Sequence, residues 1–483
     1  PWETTMKSAI FRAASGRGGF RRLLLCCLGV LGGLALVTSA CSDLLKVNDP
    51  DVVTPGNLGD PSVLPTIRAG AVGDFTLAYS GSGADGSGGI EGVIMTGGLL
   101  SDEWVNSETF PNRILDDARQ VAINDATMQT VFRNVERARR ATEFAANRYR
   151  GLAPDTLLEP GFAEMLGLEG FMWVFMAENY CSGVPVSHAN EDGSLVFGDP
   201  LTTTELLDSA LARFNGAIAT TTSTTMIRLA TVGKARAQLD LGQFAAAATT
   251  AAAVPLTFAY TVQNTENTAR ENNGIFNANV INERYSVADK EGINGLPWRS
   301  VVDPRTPFER TPASDVGFDN ATPQYDALRY GDRKAAVTVA TGAEAGLIVA
   351  EAALQAGDTG AGGAFLTALN ALRATPPAYF NSTRAGVPPV APMAALTTAD
   401  ITAAGGAVNL LFNERGRWLW LTAHRLSDLR RLVRQYGRAA NSVFPTGAYF
   451  KVQVPTYGND VNFPIPIDEQ NNPNFTQCID RNP

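Results

Sequence analysis

Residues 413–431 read NERGRWLWLTAHRLSDLRR. Trp418, Leu421, Leu429 and Leu432 recur here at three- and four-residue steps, the period of a helix with one buried stripe. Glu414, Arg415, Arg425, Asp428, Arg430 and Arg431 stand between them. Two readings of so many charges are open. They form a solvated face held by ordinary i,i+4 pairs, or they are ion pairs at a helix–helix contact beside the tryptophans.

The end of the chain bears on that choice. Phe463-Pro464-Ile465-Pro466 is followed by Glu469, Asn472-Pro473 and Gln477. Prolines at this spacing cannot continue a helix, so residues 460–483 are expected to lie along the body as an extended strap. Glu414-Arg415, nine further residues, Arg425-Leu-Ser-Asp-Leu-Arg-Arg431 and then this tail together resemble the C-terminal signature of the SusD/RagB family of outer-membrane nutrient-binding lipoproteins. Glu414, Arg415, Leu419, Arg425, Asp428, Leu429, Arg430 and Arg431 keep the family register without a gap. Trp418 stands where that pattern has a second Glu, Thr422-Ala423 where it has Glu-Gly, and Leu426 where it has Trp.

The resemblance implies an all-α fold in which tetratricopeptide-type helical hairpins support an irregular, loop-rich ligand-binding half. It implies a cell-surface protein that captures a glycan or peptide and delivers it to a SusC-like TonB-dependent transporter, with the hairpin side toward the transporter. It implies no catalysis and no cofactor.

Pro1 cannot initiate translation, which puts the expected start at Met6. Lys7, Arg12, Arg17, Arg21 and Arg22 precede an apolar run from Leu23 to Val37, which ends in Thr38-Ser39-Ala40 before Cys41. That run is short for a bilayer span and reads as a secretory signal over 1–40. A cysteine directly after the small residues resembles a bacterial lipobox, with Cys41 taking the lipid. Each buried methylene would add about 0.8 kcal/mol of anchoring. The alternative is a plain secreted chain cut nearby. Residues 41–65, with Asp49-Pro50, Thr54-Pro55-Gly56 and Asp60-Pro61, read as the linker.

Without its first 40 residues the chain keeps 34 of 39 Lys+Arg and 47 of 48 Asp+Glu, a net charge of −13. An acidic chain without a basic cluster argues against nucleic acid as a partner. Cys26 and Cys27 leave with the signal and Cys41 with the lipid, so Cys181 and Cys478 remain. In an exported protein such a pair is expected to form a disulfide, the alternative being two separate buried thiols.

Residues 66–483 read as one domain. Helices are expected over 128–150, 162–180 and 201–218, and hairpins near 230–254 and 342–373, where small residues let two helices pack closely. Residues 374–404 read as a loop. Two stretches offer glycan-binding candidates, because a sugar presents both a C–H face and a rim of hydroxyls. Trp104, Asn106 and Phe110 lie in GGLLSDEWVNSETFPN (97–112), although Ser101-Asp102-Glu103 also fits a helix start with Trp104 folded inward. Trp298 and Arg299 lie in the irregular segment 257–330, where binding residues concentrate. Asp289, Glu291 and Asn294 lack a calcium-loop spacing, so no metal is expected. The chain has only His188 and His424, the latter inside the 413–431 helix. It carries no serine elbow, histidine-rich metal motif or phosphate loop, so it does not read as an enzyme. The rivals are a lipid-anchored helical scaffold that binds only proteins and a glycosidase built on two inward-facing carboxylates.

Overall fold

The computed structural model describes residues 55–83, 91–153, 160–190, 193–310 and 312–483. The expected signal over 1–40, Cys41 and the linker to residue 54 lie outside the described residues. The chain divides into two units, Pro1–Pro55 and Gly56–Pro483, and the second is the folded body.

The architecture of that body is helical. Helices α1 (Leu64–Ser80), α2 (Val93–Leu100), α3 (Pro111–Asp117), α4 (Ala126–Leu152), α5 (Pro160–Asn179), α6 (Thr203–Ala219), α7 (Thr224–Asp240) and α8 (Phe244–Ala251) come first. Helices α9 (Gly342–Gln355), α10 (Ala364–Ala374), α11 (Thr398–Ala403), α12 (Ala407–Trp418) and α13 (Arg425–Arg434) come after them. Strands are short: β1 (Trp104–Asn106), β2 (Ala259–Val262), β3 (Tyr285–Val287) and β4 (Val337–Thr341) are the longest, all in antiparallel pairs. Among the described residues no helix is long and apolar enough to cross a membrane.

Local chemistry sets these boundaries. The Asp125 side chain accepts the Met128 N–H to open α4. Thr202 and Glu205 form a reciprocal capping box at the head of α6, and Thr341 caps α9 by accepting the Glu344 N–H. Each cap satisfies donors that a helix leaves unpaired at its start. Helix α1 begins at Leu64, just inside the stretch expected as linker. Helix α11 interrupts the expected 374–404 loop.

The helices α4 to α10 form a row in which each packs on the next, with α1 against α4 and α12 against α9. Helix α5 is buried almost throughout. Its Phe171 and Phe175 meet Phe214, Phe75 and Tyr79 on neighbouring helices. The hairpins α7/α8 and α9/α10 are far apart in sequence but adjacent in space, because α8 packs on α9. Residues 252–341 loop out between them, and β2 paired with β4 closes the base of that excursion.

The stretch 413–431 is two helices rather than one. Helix α12 stops at Trp418, and Leu421 and Ala423 take left-handed backbone angles, φ 55° and 58°. The break survives because buried side chains replace the lost helical hydrogen bonds. Leu421 N–H donates to Glu103 Oε1 at 2.8 Å. The carbonyls of Leu421, Thr422 and Ala423 accept from Tyr330 Oη, Tyr79 Oη and Arg236 Nη2. His424 therefore caps α13 instead of lying within a helix. Its Nε2 is 3.0 Å from Glu344, and burial together with the neighbouring Arg236 lowers its pKa.

The charges of this stretch are buried and paired. Arg415 and Arg431 both bond Asp428, at 2.8 and 2.9 Å, and Arg431 also bonds Glu351 of α9 at 2.5 Å. Glu414 accepts from Arg305 at 2.7 Å and from Arg373 at 2.9 Å. Arg425 grips Asp102, with Nη2 at 2.8 Å from Oδ2. Burial raises the Asp428 pKa, but the two guanidiniums more than offset it and hold the carboxyl far below its ordinary value. Leu429 is buried on the apolar side. Among the described residues Arg430 has no carboxylate partner; it donates to the Ala177 and Glu178 carbonyls at the C-terminal end of α5, and burial lowers its pKa to about 9. One cluster thus joins the helical row to the loop-rich half through Arg305 and Asp102.

Residues 460–483 lie along the body. Cys181 N–H donates to the Phe463 carbonyl at 2.9 Å, and Ser182 faces Asp480. Cys181 and Cys478 are joined by a disulfide with their Cα atoms 5.9 Å apart. A short 3₁₀ turn, Ile467–Asn471, interrupts the extended course.

Candidate functional site

The loop-rich half holds a cleft of about 470 Å³, lined by Val105, Asp289–Ile293, Arg299, Thr322, Pro323, Thr446, Ala448, Phe450 and Tyr457. Three pieces of chain meet there. Strands β1 and β3 pair Trp104 with Val287 and Asn106 with Tyr285, which brings residues 104–110 beside 284–299. Loop 289–295 then lies against loop 445–447. Gly292 has φ +55°, and a side chain there would sit 2.7 Å from the Thr446 backbone, so the close approach needs glycine.

Half-exposed aromatic rings mark this surface. Phe110, Phe318 and Phe450 are 50%, 49% and 47% exposed, unusual for phenylalanine. The Arg284 guanidinium lies between the first two, 5.5 Å from the Phe110 ring centre and 5.3 Å from that of Phe318. Lys451, next to Phe450, ties the three segments together. Its ammonium bonds Asn106 Oδ1 at 2.7 Å, the Glu108 carbonyl at 2.6 Å and Asp319 at 2.8 Å. Burial works against Asp319 ionising, yet Lys451 and Thr322 bring its pKa down to about 2.

Arg299 sits flat on Tyr325, 3.7 Å from the ring centre, and its Nε donates to the Ala288 carbonyl at 3.3 Å. Asp289 Oδ1 turns the loop by accepting the N–H groups of Arg299 and Ser300, at 3.0 and 2.9 Å. Beneath the floor, Tyr449 Oη donates to Asp117 at 2.7 Å and Tyr457 Oη to Glu291 at 3.0 Å. The two carboxyls face each other. Burial, and for Glu291 the neighbouring Asp117, raise both pKa values. Asn294 is spent on the Asn441 and Phe444 carbonyls. Among the described residues no group of His, Cys, Asp and Glu is arranged to hold a metal ion.

Of the five residues singled out as ligand-binding candidates, the structure puts Arg299 on the cleft and leaves Phe110 half-exposed beside Arg284. Trp104, Asn106 and Trp298 are fully buried and cannot serve as exposed platforms. Trp104 meets Tyr285 edge-on inside the core. Trp298 stacks on Trp420, is covered by Arg425 and donates its Nε1–H to the Asp102 carbonyl. The physical reason is area: an indole buries more apolar surface than any other ring, and both find partners for it. Asn106 is occupied by Lys451 and by the Glu108 N–H. Residues 101–103 come after a helix instead of starting one. Phe318, Lys290 and Phe450 escaped sequence reasoning. The signal for Phe450 was available, since 446–451 is a short aromatic stretch set between Pro445 and Pro455.

Solved structures share this fold. A laminarin-binding SusD-like protein superposes with a TM-score of 0.57 at 14% identity, covering 86% of this chain and 98% of that one. The fold is SusD-like. A SusD superfamily protein from Bacteroides vulgatus gives 0.59 at 14% identity over 87% of this chain and 98% of its own. A SusD/RagB family protein from Bacteroides thetaiotaomicron gives 0.59 at 10% identity, over 84% and 94%. No protein-family model and no curated protein matches the chain. The helical row carries the loop-rich half in which the cleft lies.

Proposed function

We propose that this protein captures an oligosaccharide at the cleft between loops 289–299, 318–323 and 446–457 and passes it to a SusC-like TonB-dependent transporter in the outer membrane. The observation that carries the reading is a cleft lined by half-exposed Phe450, with half-exposed Phe110 and Phe318 on the segments that Lys451 ties to it. Phenyl faces take the C–H face of a sugar, while Arg299 and Lys290 offer donors to its hydroxyls. Lipidation at Cys41 would hold the protein at the cell surface, and the helical row would face the transporter. The role is binding without chemistry. The laminarin-binding protein of the same fold supports a glycan over a peptide.

Calorimetric titration of a glycan and peptide panel tests this. A glycan is expected to bind, and Phe450→Ala and Phe110→Ala are each expected to weaken it about three- to tenfold, with unchanged unfolding midpoints. Binding indifferent to both substitutions, or a panel in which only peptides bind, overturns the assignment.

A further inference from the structure

Arginines elsewhere in this half have their acceptors. Arg305 holds Asp303 and Glu414, Arg310 bonds the Asp315 carbonyl, and Arg113 holds Glu91 and Glu108. Arg299 differs. Its face is fixed on Tyr325 and its Nε on Ala288, while Nη1 and Nη2 have no acceptor among the described residues, and the residue lines the cleft. Lys290 stands on the same cleft, exposed and likewise without an acceptor among the described residues. The opposing charge there is small. Asp289 has Oδ1 turned to two backbone N–H groups, which help hold its pKa below the usual value, and Glu291 accepts from Tyr457 Oη, with burial beside Asp117 raising its pKa. Two cations without an acceptor among the described residues thus line the cleft, in a chain whose net charge is −9. A guanidinium held by its face and its Nε presents its outer edge as a planar fork, which matches a carboxylate.

We infer that the cleft takes an acidic oligosaccharide, a uronic-acid polymer, with Arg299 gripping a uronate carboxylate through Nη1 and Nη2, Lys290 adding charge and Phe450 covering the sugar face. The inference rests on the capture reading and narrows its ligand.

The test titrates the protein at neutral pH with three probes: oligogalacturonate, the neutral galactose oligomer of the same linkage, and an acidic peptide. Oligogalacturonate is expected to bind at least about tenfold tighter than the neutral oligomer, with the preference shrinking as salt is raised. Arg299→Gln is expected to remove most of that preference, and Arg299→Lys to recover only part of it because the fork is lost. Lys290→Gln, at an exposed position, is expected to lower uronate affinity by a smaller factor. Equal binding of both oligomers, or uronate binding untouched by Arg299→Gln and Lys290→Gln, overturns the acidic-sugar inference and leaves glycan capture standing. Binding of the acidic peptide alone overturns both, as does silence from all three probes.

Discussion

The arginines of the α12–α13 junction and those of the cleft live under opposite conditions. Arg415 and Arg431 are almost wholly buried, and each is held by carboxylates on more than one element. Arg299 is half-buried, rests on a ring and keeps two nitrogens free of protein acceptors. A buried charge must be paired, and losing one partner strands the other. A charge at a cleft edge costs the fold little and remains available. The same residue type thus builds the scaffold in one place and offers recognition in the other.

The harshest way to probe this contrast is Arg415→Ala. It leaves Asp428 buried with Arg431 as its one remaining strong partner. The expected loss is about 3–5 kcal/mol of unfolding free energy, read from urea or guanidinium titration. Arg299→Gln should stay within about 0.5 kcal/mol of the parent in the same assay. Equal effects from the two would dissolve the distinction.

Between these extremes stands Asp319, whose pair with Lys451 joins loop 318–323 to loop 446–457. Its carboxyl ionises near 2 in the folded protein against an ordinary 3.8. A depressed value means the folded state binds its proton less readily, so the contribution is complete above about pH 4 and fades as pH falls through about 2. Both side chains of this pair are largely buried, so Asp319→Asn, which takes the carboxylate from the Lys451 ammonium, is expected to cost about 2 kcal/mol at neutral pH. The gap from the parent should narrow as pH falls below about 4. A gap that stays constant down to pH 2 would remove the ion pair as its cause.

How far the sequence could be read tracks the same division. Helical hairpins were legible because repeated small residues at helical spacing admit few other packings, whereas the charges of 413–431 fitted a solvated face as well as a contact, and only the resemblance weighed for the contact. The tail of spaced prolines was legible as a strap because proline removes the donor and the dihedral that a helix needs. The break at Leu421–Ala423 was not. Nothing local announces it, and it is held by Glu103, Tyr79, Tyr330 and Arg236, contributed from distant parts of the chain. The site was half legible for a related reason. A tryptophan in an irregular stretch looks like a platform, but whether its ring faces solvent depends on partners such as Trp420 and Tyr285 that only the fold supplies. Smaller rings, Phe110, Phe318 and Phe450 among them, are left outside.

The smallest expected effect examines that break directly. Ala423 holds φ +58°, where a Cβ crowds the backbone, and it stands where the resembling family pattern has glycine. Ala423→Gly removes a strain of about 1–2 kcal/mol and gives back roughly 0.8 kcal/mol for the buried methyl. Glycine's greater freedom in the unfolded chain takes back part of the remainder. The variant should therefore be more stable by about 0.5 kcal/mol, seen as a small rise in denaturation midpoint with unchanged slope. Leu421 has nearly the same angle, φ +55°, but a fully buried side chain, so it has no such gain to offer. A lower midpoint for Ala423→Gly would mean that the Arg236 bond to the Ala423 carbonyl depends on a stiff backbone, and that the junction gains more from rigidity than it loses to strain.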